Sequence, residues 1–220
     1  LLLTADEEVG SRSSRRVIEK LARGSDAALV IEPGAGLRGA LKTARKGVGE
    51  YRLVVHGRPA HAGVDFAQGA SAIHELARQV LRIARFSRLR RGITVNVGVL
   101  GGGTRSNVVA ERAWAHIDVR VVRLSDEQYL ERQFASLRPF HPETRLEITG
   151  GLNRPPMQRT PAIAGLFRRA RELGRRLGLE LEESSTGGGS DGNFTAALGV
   201  PTLDGLGAVG QGAHALHESI

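Results

Sequence analysis

The sequence predicts an α/β domain interrupted by an inserted α+β domain, and three observations point to it. Near the start, two apolar runs of strand length flank a helical stripe and end in acidic residues. Across the middle of the chain, alternating segments and two helical stripes follow the order β-α-β-β-α-β. After Thr160 a helix-then-strand rhythm like that of the first part returns.

Leu1 to Thr4 read as a short buried strand running into Asp6-Glu7-Glu8, with a break at Gly10-Ser11. Val17, Ile18, Leu21 and Ala22 then have helical spacing up to Gly24. Ala27 to Ile31 is the second strand-length run, closing at Glu32-Pro33-Gly34. In α/β sheets ligands sit beyond the carboxyl ends of strands, where these acidic residues fall.

The rhythm changes after Lys46-Gly47. Tyr51, Leu53 and Val55 alternate with polar or exposed positions, as in a half-buried strand. Ile73, Leu76, Ala77, Val80, Leu81 and Ala84 form a helical stripe. Ile93, Val95, Val97 and Val99 alternate with Thr94, Asn96 and Gly98, and Ala115, Ile117, Val119 and Val121 repeat the pattern. Ser125-Asp126-Glu127-Gln128 reads as a capping box opening a helix with Leu130, Phe134 and Leu137 inward. Leu146 and Ile148 mark the closing strand. This is the split-βαβ, ferredoxin-like order.

In the tail, Thr160-Pro161 is a helix start, with Ile163, Leu166, Phe167, Ala170, Leu173 and Leu177 as its buried stripe. A turn at Gly187-Gly188-Gly189, a short helix from about Gly192 to Leu198 and a strand over Pro201 to Leu203 follow. The expected parts are residues 1–46 and 154–220 of one split domain and residues 47–153 of an inserted lid.

Composition narrows the chemistry. The chain has 220 residues, 40% of them hydrophobic but only 4% aromatic, so its cores rest on aliphatic side chains. With no cysteine, thiolate metal sites and disulfides are excluded. A metal would sit on His and carboxylate ligands, a set that suits zinc, cobalt or manganese. No apolar run approaches a membrane span, and Leu1-Leu2-Leu3 is too short for a signal-peptide core. The +8 charge raises a nucleic-acid partner. Arg168, Arg169, Arg171, Arg175 and Arg176, however, alternate with apolar positions as a solvated helix face does, and are not clustered with aromatic stacking residues. Neither a nucleic-acid nor a membrane partner is expected.

Several residues could carry chemistry. Glu7 and Glu8 are adjacent after an apolar strand, so one could bind metal while the other faces a bound water. The plain alternative is a solvated acidic loop. Glu32 ends the next strand, where a charged residue is common. His214, in Gly210-Gln211-Gly212-Ala213-His214, is a single imidazole on a flexible approach; a lone loop histidine is more often just exposed. His61, between Gly57 and Gly63, sits in a tight turn, presented or merely capping a helix. Asn107 follows a glycine run. Arg120 points opposite to Ile117 and Val119, and Arg154 precedes Pro155-Pro156. Guanidinium groups bind carboxylates as planar forks, with surface salt bridges as the ordinary alternative. Gly188 and Gly189 belong to a substrate-side loop that is no phosphate loop, since no Gly-Lys-Ser/Thr follows.

Taken together, these motifs resemble the co-catalytic zinc metallopeptidases that include glutamate carboxypeptidase, acetylornithine deacetylase, succinyl-diaminopimelate desuccinylase and aminoacylase. The matching segments are Thr4-Ala5-Asp6-Glu7-Glu8-Val9-Gly10-Ser11, Ile31-Glu32-Pro33, Ala44-Arg45-Lys46-Gly47, Gly57-Arg58-Pro59-Ala60-His61-Ala62-Gly63, Ser106-Asn107-Val108-Val109, Asp118-Val119-Arg120, Thr186-Gly187-Gly188-Gly189-Ser190-Asp191 and Gly212-Ala213-His214-Ala215-Leu216-His217-Glu218. The Thr-Gly-Gly-Gly-Ser-Asp form looks closest to the glutamate carboxypeptidase branch.

The resemblance implies a zinc-peptidase-like catalytic domain interrupted by a ferredoxin-like lid and dimerisation domain. It implies Glu7 as general base, Glu8, Glu32 and His214 as metal ligands, and two zinc ions in a complete subunit. It implies that His61 reaches a neighbouring subunit's site and supports the oxyanion. Asn107, Arg120 and Arg154 then hold a substrate carboxylate, and the protein is a homodimer through the lid. The substrate class is a small peptide or N-acyl amino acid, and the expected compartment is the cytoplasm. The family also supplies a zinc histidine and a bridging aspartate upstream of its Glu-Glu motif. This chain is therefore expected to be a fragment lacking both, which leaves a catalytically incomplete dimerisation or binding module as the alternative.

Overall fold

The computed structural model describes residues 1–210 and residue 219. In chain order the elements are α1 (Arg15–Ala22), β1 (Ala28–Leu29), β2 (Leu41–Arg45), β3 (Gly47–His56), α2 (Ala72–Ala84), β4 (Thr94–Gly102), β5 (Arg112–Val121), α3 (Leu124–Ala135), β6 (Arg145–Arg154), α4 (Pro161–Arg176), β7 (Glu183–Thr186), α5 (Gly192–Ala197) and β8 (Thr202–Leu203). The architecture is α/β with an α+β insertion. The chain divides into two compact units: Leu1–Val48 with Asn153–Ile220, and Gly49–Leu152.

The inserted unit is a four-stranded sheet in the order β4-β5-β3-β6, the strand order of the ferredoxin-like arrangement. β5 shows why it folds this way. Ala113, Ala115, Ile117, Val119 and Val121 are fully buried, while Trp114, His116, Asp118 and Arg120 between them are half-buried on the other face. Burying one such isoleucine contributes about 1.5–3 kcal/mol. α2 packs on β4 and β5, and α3 on β5. Tyr51 of β3 stacks on Phe134 of α3 with ring centroids 3.8 Å apart, and Phe86 meets Phe134 edge-on.

Three features of this unit differ from the simple periodic reading. The register of β4 against β5 shifts between Val97 and Val99, leaving Val99 56% and Leu100 57% exposed. A bulge adds a residue, and one extra residue turns the following side chains to the other face. In α2 the inward positions include Glu75 and Gln79, whereas Ile73, Ala77 and Leu81 are exposed. Glu75 is tolerated inside because it accepts hydrogen bonds from Gln79 Nε2 at 2.7 Å and from the main-chain nitrogens of Phe140 and His141. α3 starts earlier than a Ser125 cap would allow: Arg123 is its N-cap, and the Arg123 N–H donates to Asp126 Oδ2 at 3.2 Å.

In the split unit β1 pairs with β8 and β2 with β7, both parallel. A bridge between Lys42 and Asp204 links the two pairs. α4 begins as expected, with Thr160 Oγ1 accepting from the Ile163 N–H at 3.2 Å. Its Ile163 and Phe167 are buried and its five arginines exposed, but Leu173 and Leu177 at its end are exposed too. Leu1 to Thr4 form no strand: among the described residues no neighbour supplies a ladder, and Leu1 and Leu3 are exposed. β2 and β7 lack an apolar alternation. The inward positions of β2 are Leu41, Thr43 and Arg45, two of them polar. Among the described residues no helix is long and apolar enough to cross a membrane.

Candidate active site

The site is built from the turn that carries the acidic pair. Glu7–Val9 form one 3-10 turn, closed by Gly10 in the left-handed region. Asp6 holds the next turn in place, accepting from the Ser13 N–H at 2.8 Å, Ser13 Oγ at 2.6 Å and the Ser14 N–H at 3.3 Å. The hydrogen bonds from the Ser13 side chain, and then from Ser14, hold the Asp6 carboxyl well below the usual carboxylate range. Ser11 has φ 54°, rare for a residue with a side chain, and is fully buried. Its hydroxyl donates to Asp191 and accepts from Arg154 Nη2 at 2.9 Å, so its contacts fix the backbone that carries Glu7.

Arg154, the last residue of β6, ties this region together. Its Nη2 donates to Glu7 Oε1 at 2.8 Å, the Glu7 carbonyl at 2.9 Å and Asp191 Oδ1 at 3.3 Å. Its side chain is only 9% exposed, so the surface salt bridge considered as an alternative does not describe it. Its Nε is buried without a protein partner. Gly189 packs directly against it: a Cβ there would lie 2.9 Å from Arg154 Cδ and 3.0 Å from Val48 Cγ2, so only glycine fits without a shift.

The Glu7 carboxyl is pushed above its ordinary range. Burial is the main cause; Arg154 opposes it, and the negative charges of Glu32, Asp191 and Glu8 add to it. The structure therefore brings Glu7, Glu8, Glu32, Arg154 and Gly189 into one neighbourhood of the split unit. Glu32 is half-buried just beyond β1, and its carbonyl accepts from the Gly207 N–H at 2.8 Å. Beside it, Lys42 Nζ donates to the Pro33 carbonyl at 2.7 Å. Burial and then the charge of Arg45 lower the Lys42 pKa, against the pull of Asp204 and Glu32. Gly188 is exposed at the tip of the glycine loop.

The other candidates lie in the inserted unit. His61 is exposed in its turn, and its Nδ1 accepts from the Gly63 N–H at 3.1 Å. Asn107 is its neighbour: the Ala62 N–H donates to the Asn107 carbonyl at 2.9 Å, and His61 bridges to Val108. Arg120, half-buried on the outward face of β5, forks onto Asp118 with Nε to Oδ1 at 2.9 Å and Nη2 to Oδ2 at 2.8 Å. His214 lies outside the described residues.

Residues 43–143 match the peptidase dimerisation domain of M20 peptidases. The chain is 28% identical over 222 residues to carboxypeptidase G2 of Pseudomonas sp. (strain RS-16), a match covering 97% of this chain and 52% of that protein. The chain carries the dimerisation domain of the M20 peptidases. Its fold agrees: aminopeptidase PepT of Bacillus cereus superposes with a TM-score of 0.75 at 21% identity, over 98% of this chain and 57% of that one. The aminobenzoyl-glutamate utilization protein of Klebsiella pneumoniae superposes at 0.63 with 20% identity, over 86% and 52%. The chain thus spans about half the length of these M20 relatives.

The donor chemistry fits part of an M20 metal centre. Glu8 and Glu32 are hard oxygen donors, and their charges raise Glu7 in the way a bound cation would relieve. Among the described residues, no group of three His, Asp or Glu side chains is arranged to hold a metal ion. These two carboxylates would therefore be a share of the ligands. Reading single residues passed over Ser11, Lys42, Arg45, Asp191 and Asp204. Asp191 closes the Thr186–Asp191 motif, and Arg45 is a charged residue at an inward strand position, which was the available signal.

Proposed function

We propose that the protein is a metal-dependent hydrolase of amide bonds. It is of carboxypeptidase or deacylase type and acts on C-terminal glutamate or N-acyl amino acid substrates. The observation that carries this reading is the Glu7 carboxyl, held by Arg154 and pushed upward first by its burial and then by Glu32, Asp191 and Glu8. A base works best with a pKa near the working pH, and a carboxyl pushed upward is suited to that task. The similarity to carboxypeptidase G2 supports the reaction class.

In this mechanism Glu8 and Glu32, with His214, would hold divalent ions, zinc first among them with cobalt or manganese as substitutes; the ions would supply Lewis acidity for the scissile carbonyl and for an attacking water. Glu7 takes the proton of that water at its carboxylate and passes it to the leaving amine. Arg154 keeps that carboxylate aimed, with Ser11 and Asp191 fixing the guanidinium. Asn107, Arg120, Arg154 and the Gly188-Gly189 loop select the substrate carboxylate. His61 adds an oxyanion donor from a neighbouring subunit.

The dimer that this requires would form along β4. β4 and β6 are the outer strands of the sheet. β6 is interrupted by Gly150 and Gly151 with φ 116° and 155°, whereas β4 exposes Val99 and Leu100 on an open edge. The test is Glu7→Gln in the full-length protein. It should keep its zinc and lose turnover of an N-acyl-glutamate about 10²–10⁴-fold, the usual weight of a general base. Turnover within threefold of wild type, a span of about 0.7 kcal/mol, would refute the role.

A further inference from the structure

A buried guanidinium lies beneath the glycine loop. Arg45 ends β2 and is 5% exposed. Its main chain exchanges two hydrogen bonds of 3.0 Å with Met157 and pairs with Thr186 of β7. Its side chain forks onto Asp204, Nε to Oδ2 and Nη2 to Oδ1, both at 2.8 Å, and Asp204 is fully buried. Nη1 then donates to the carbonyls of Gly188 and Gly189, each at 3.1 Å. Asp204 Oδ2 also accepts from Ser190 Oγ at 2.5 Å. Both glycine carbonyls and the residue after them therefore hang on one buried pair.

Stability alone does not call for this arrangement. A buried ion pair costs desolvation that well-packed apolar side chains avoid. What only arginine supplies is several donors in a fixed plane, two for the aspartate and one for the carbonyls. All peptide bonds among the described residues are trans, and in a trans peptide the N–H points away from the carbonyl. With the Gly188 carbonyl turned toward Arg45, the N–H of Gly189 is turned away from the pair. Gly189 is half-buried and Gly188 exposed, so the loop itself borders solvent.

We propose that Arg45, held by Asp204, is a positioning residue: it orients the glycine loop so that the Gly189 N–H donates to the substrate's α-carboxylate. This rests on the hydrolase reading above.

The test uses the full-length protein with N-benzoyl-L-glutamate, and with N-benzoyl-4-aminobutyrate, which lacks the α-carboxylate. Arg45→Lys keeps the charge and loses the fork. Arg45→Met/Asp204→Leu removes both charges together, so that no orphan charge threatens folding. For either variant KM for N-benzoyl-L-glutamate should rise about tenfold, the loss of one charge-assisted hydrogen bond. Zinc content should stay equal to wild type, and kinetics on the aminobutyrate probe should not change. An unchanged KM for the glutamate probe in a folded variant overturns the proposal. So does an equal loss on both probes, which would mark a merely structural pair. If the wild type neither turns over N-benzoyl-L-glutamate nor binds L-glutamate by calorimetry, the hydrolase reading falls and this inference with it. Wild-type turnover with unaltered variants removes the inference alone.

Discussion

Arg154→Met separates the structural and chemical roles of the guanidinium. The substitution keeps an aliphatic stem against Gly189 and removes every charged donor. Two carboxylates lose their cationic partner: Glu7, whose side chain is 26% exposed, and Asp191, 17% exposed, which keeps its hydrogen bonds from Ser11 and Thr4. Breaking a buried pair by removing one partner costs about 3–5 kcal/mol. Partial exposure of both carboxylates places the expected loss near the lower figure, about 3 kcal/mol. For a chain of this size each kcal/mol lowers Tm by about 2–4 °C, so a fall of about 6–12 °C is expected at neutral pH. The loss should shrink as pH falls through the raised Glu7 pKa, where that carboxyl is neutral and needs no partner.

The same variant shifts the chemistry. Among the described residues Arg154 is the group that lowers the Glu7 pKa, against burial and three negative neighbours. Without it the carboxyl rises further, so the acid limb of kcat/KM should move to higher pH. The sign follows from the protonated form being favoured in the fold. A raised carboxyl contributes its stability below the unfolded pKa and loses it as pH rises through the folded one. Differential scanning calorimetry and a pH–rate profile on N-benzoyl-L-glutamate read the two effects. A Tm within 1 °C of wild type, well under the shift that about 1 kcal/mol gives, would refute the buried-pair argument. An unmoved acid limb would refute the coupling to Glu7.

Two further outcomes follow from the same physics. Glu75→Ala should destabilise the inserted unit by about 3 kcal/mol, the low end of about 1–3 kcal/mol for each of three donors, because Gln79 and the partly buried main-chain nitrogens of Phe140 and His141 lose their acceptor; a urea midpoint equal to wild type would contradict it. Asp6→Ala should be less stable than wild type at neutral pH, and the gap should close as pH falls through the depressed Asp6 pKa. Urea midpoints measured across acid pH check this, and a gap independent of pH would count against the Ser13 and Ser14 hydrogen bonds as its source.

What was legible in the sequence was whatever a periodic pattern encodes. β5 alternates without interruption and is buried on that pattern. Thr160-Pro161 starts α4 through a local cap that needs no tertiary partner. Illegible were the elements whose inward positions are polar. Thr43 and Arg45 lie inside because their partners, Glu183 and Asp204, come from more than a hundred residues away. Glu75 faces inward because two main-chain nitrogens near Phe140 await it. The β4 bulge is likewise set by pairing with β5, and Leu1 to Thr4 look like a strand only if a ladder exists for them. In the site, the acidic residues could be picked out singly. The guanidinium of Arg154 bridging Glu7 and Asp191 could not, since it joins residues whose proximity only the fold creates.

Whether Glu8 and Glu32 are ligands of a hydrolytic metal centre served by Glu7 is decided by anomalous diffraction at the zinc edge from crystals of the full-length protein. The expected result is zinc peaks about 2.0–2.2 Å from the Glu8 and Glu32 carboxylates, with Glu7 close by and uncoordinated. Zinc bound elsewhere, or no anomalous peak beside either carboxylate in zinc-supplemented crystals, would contradict the account.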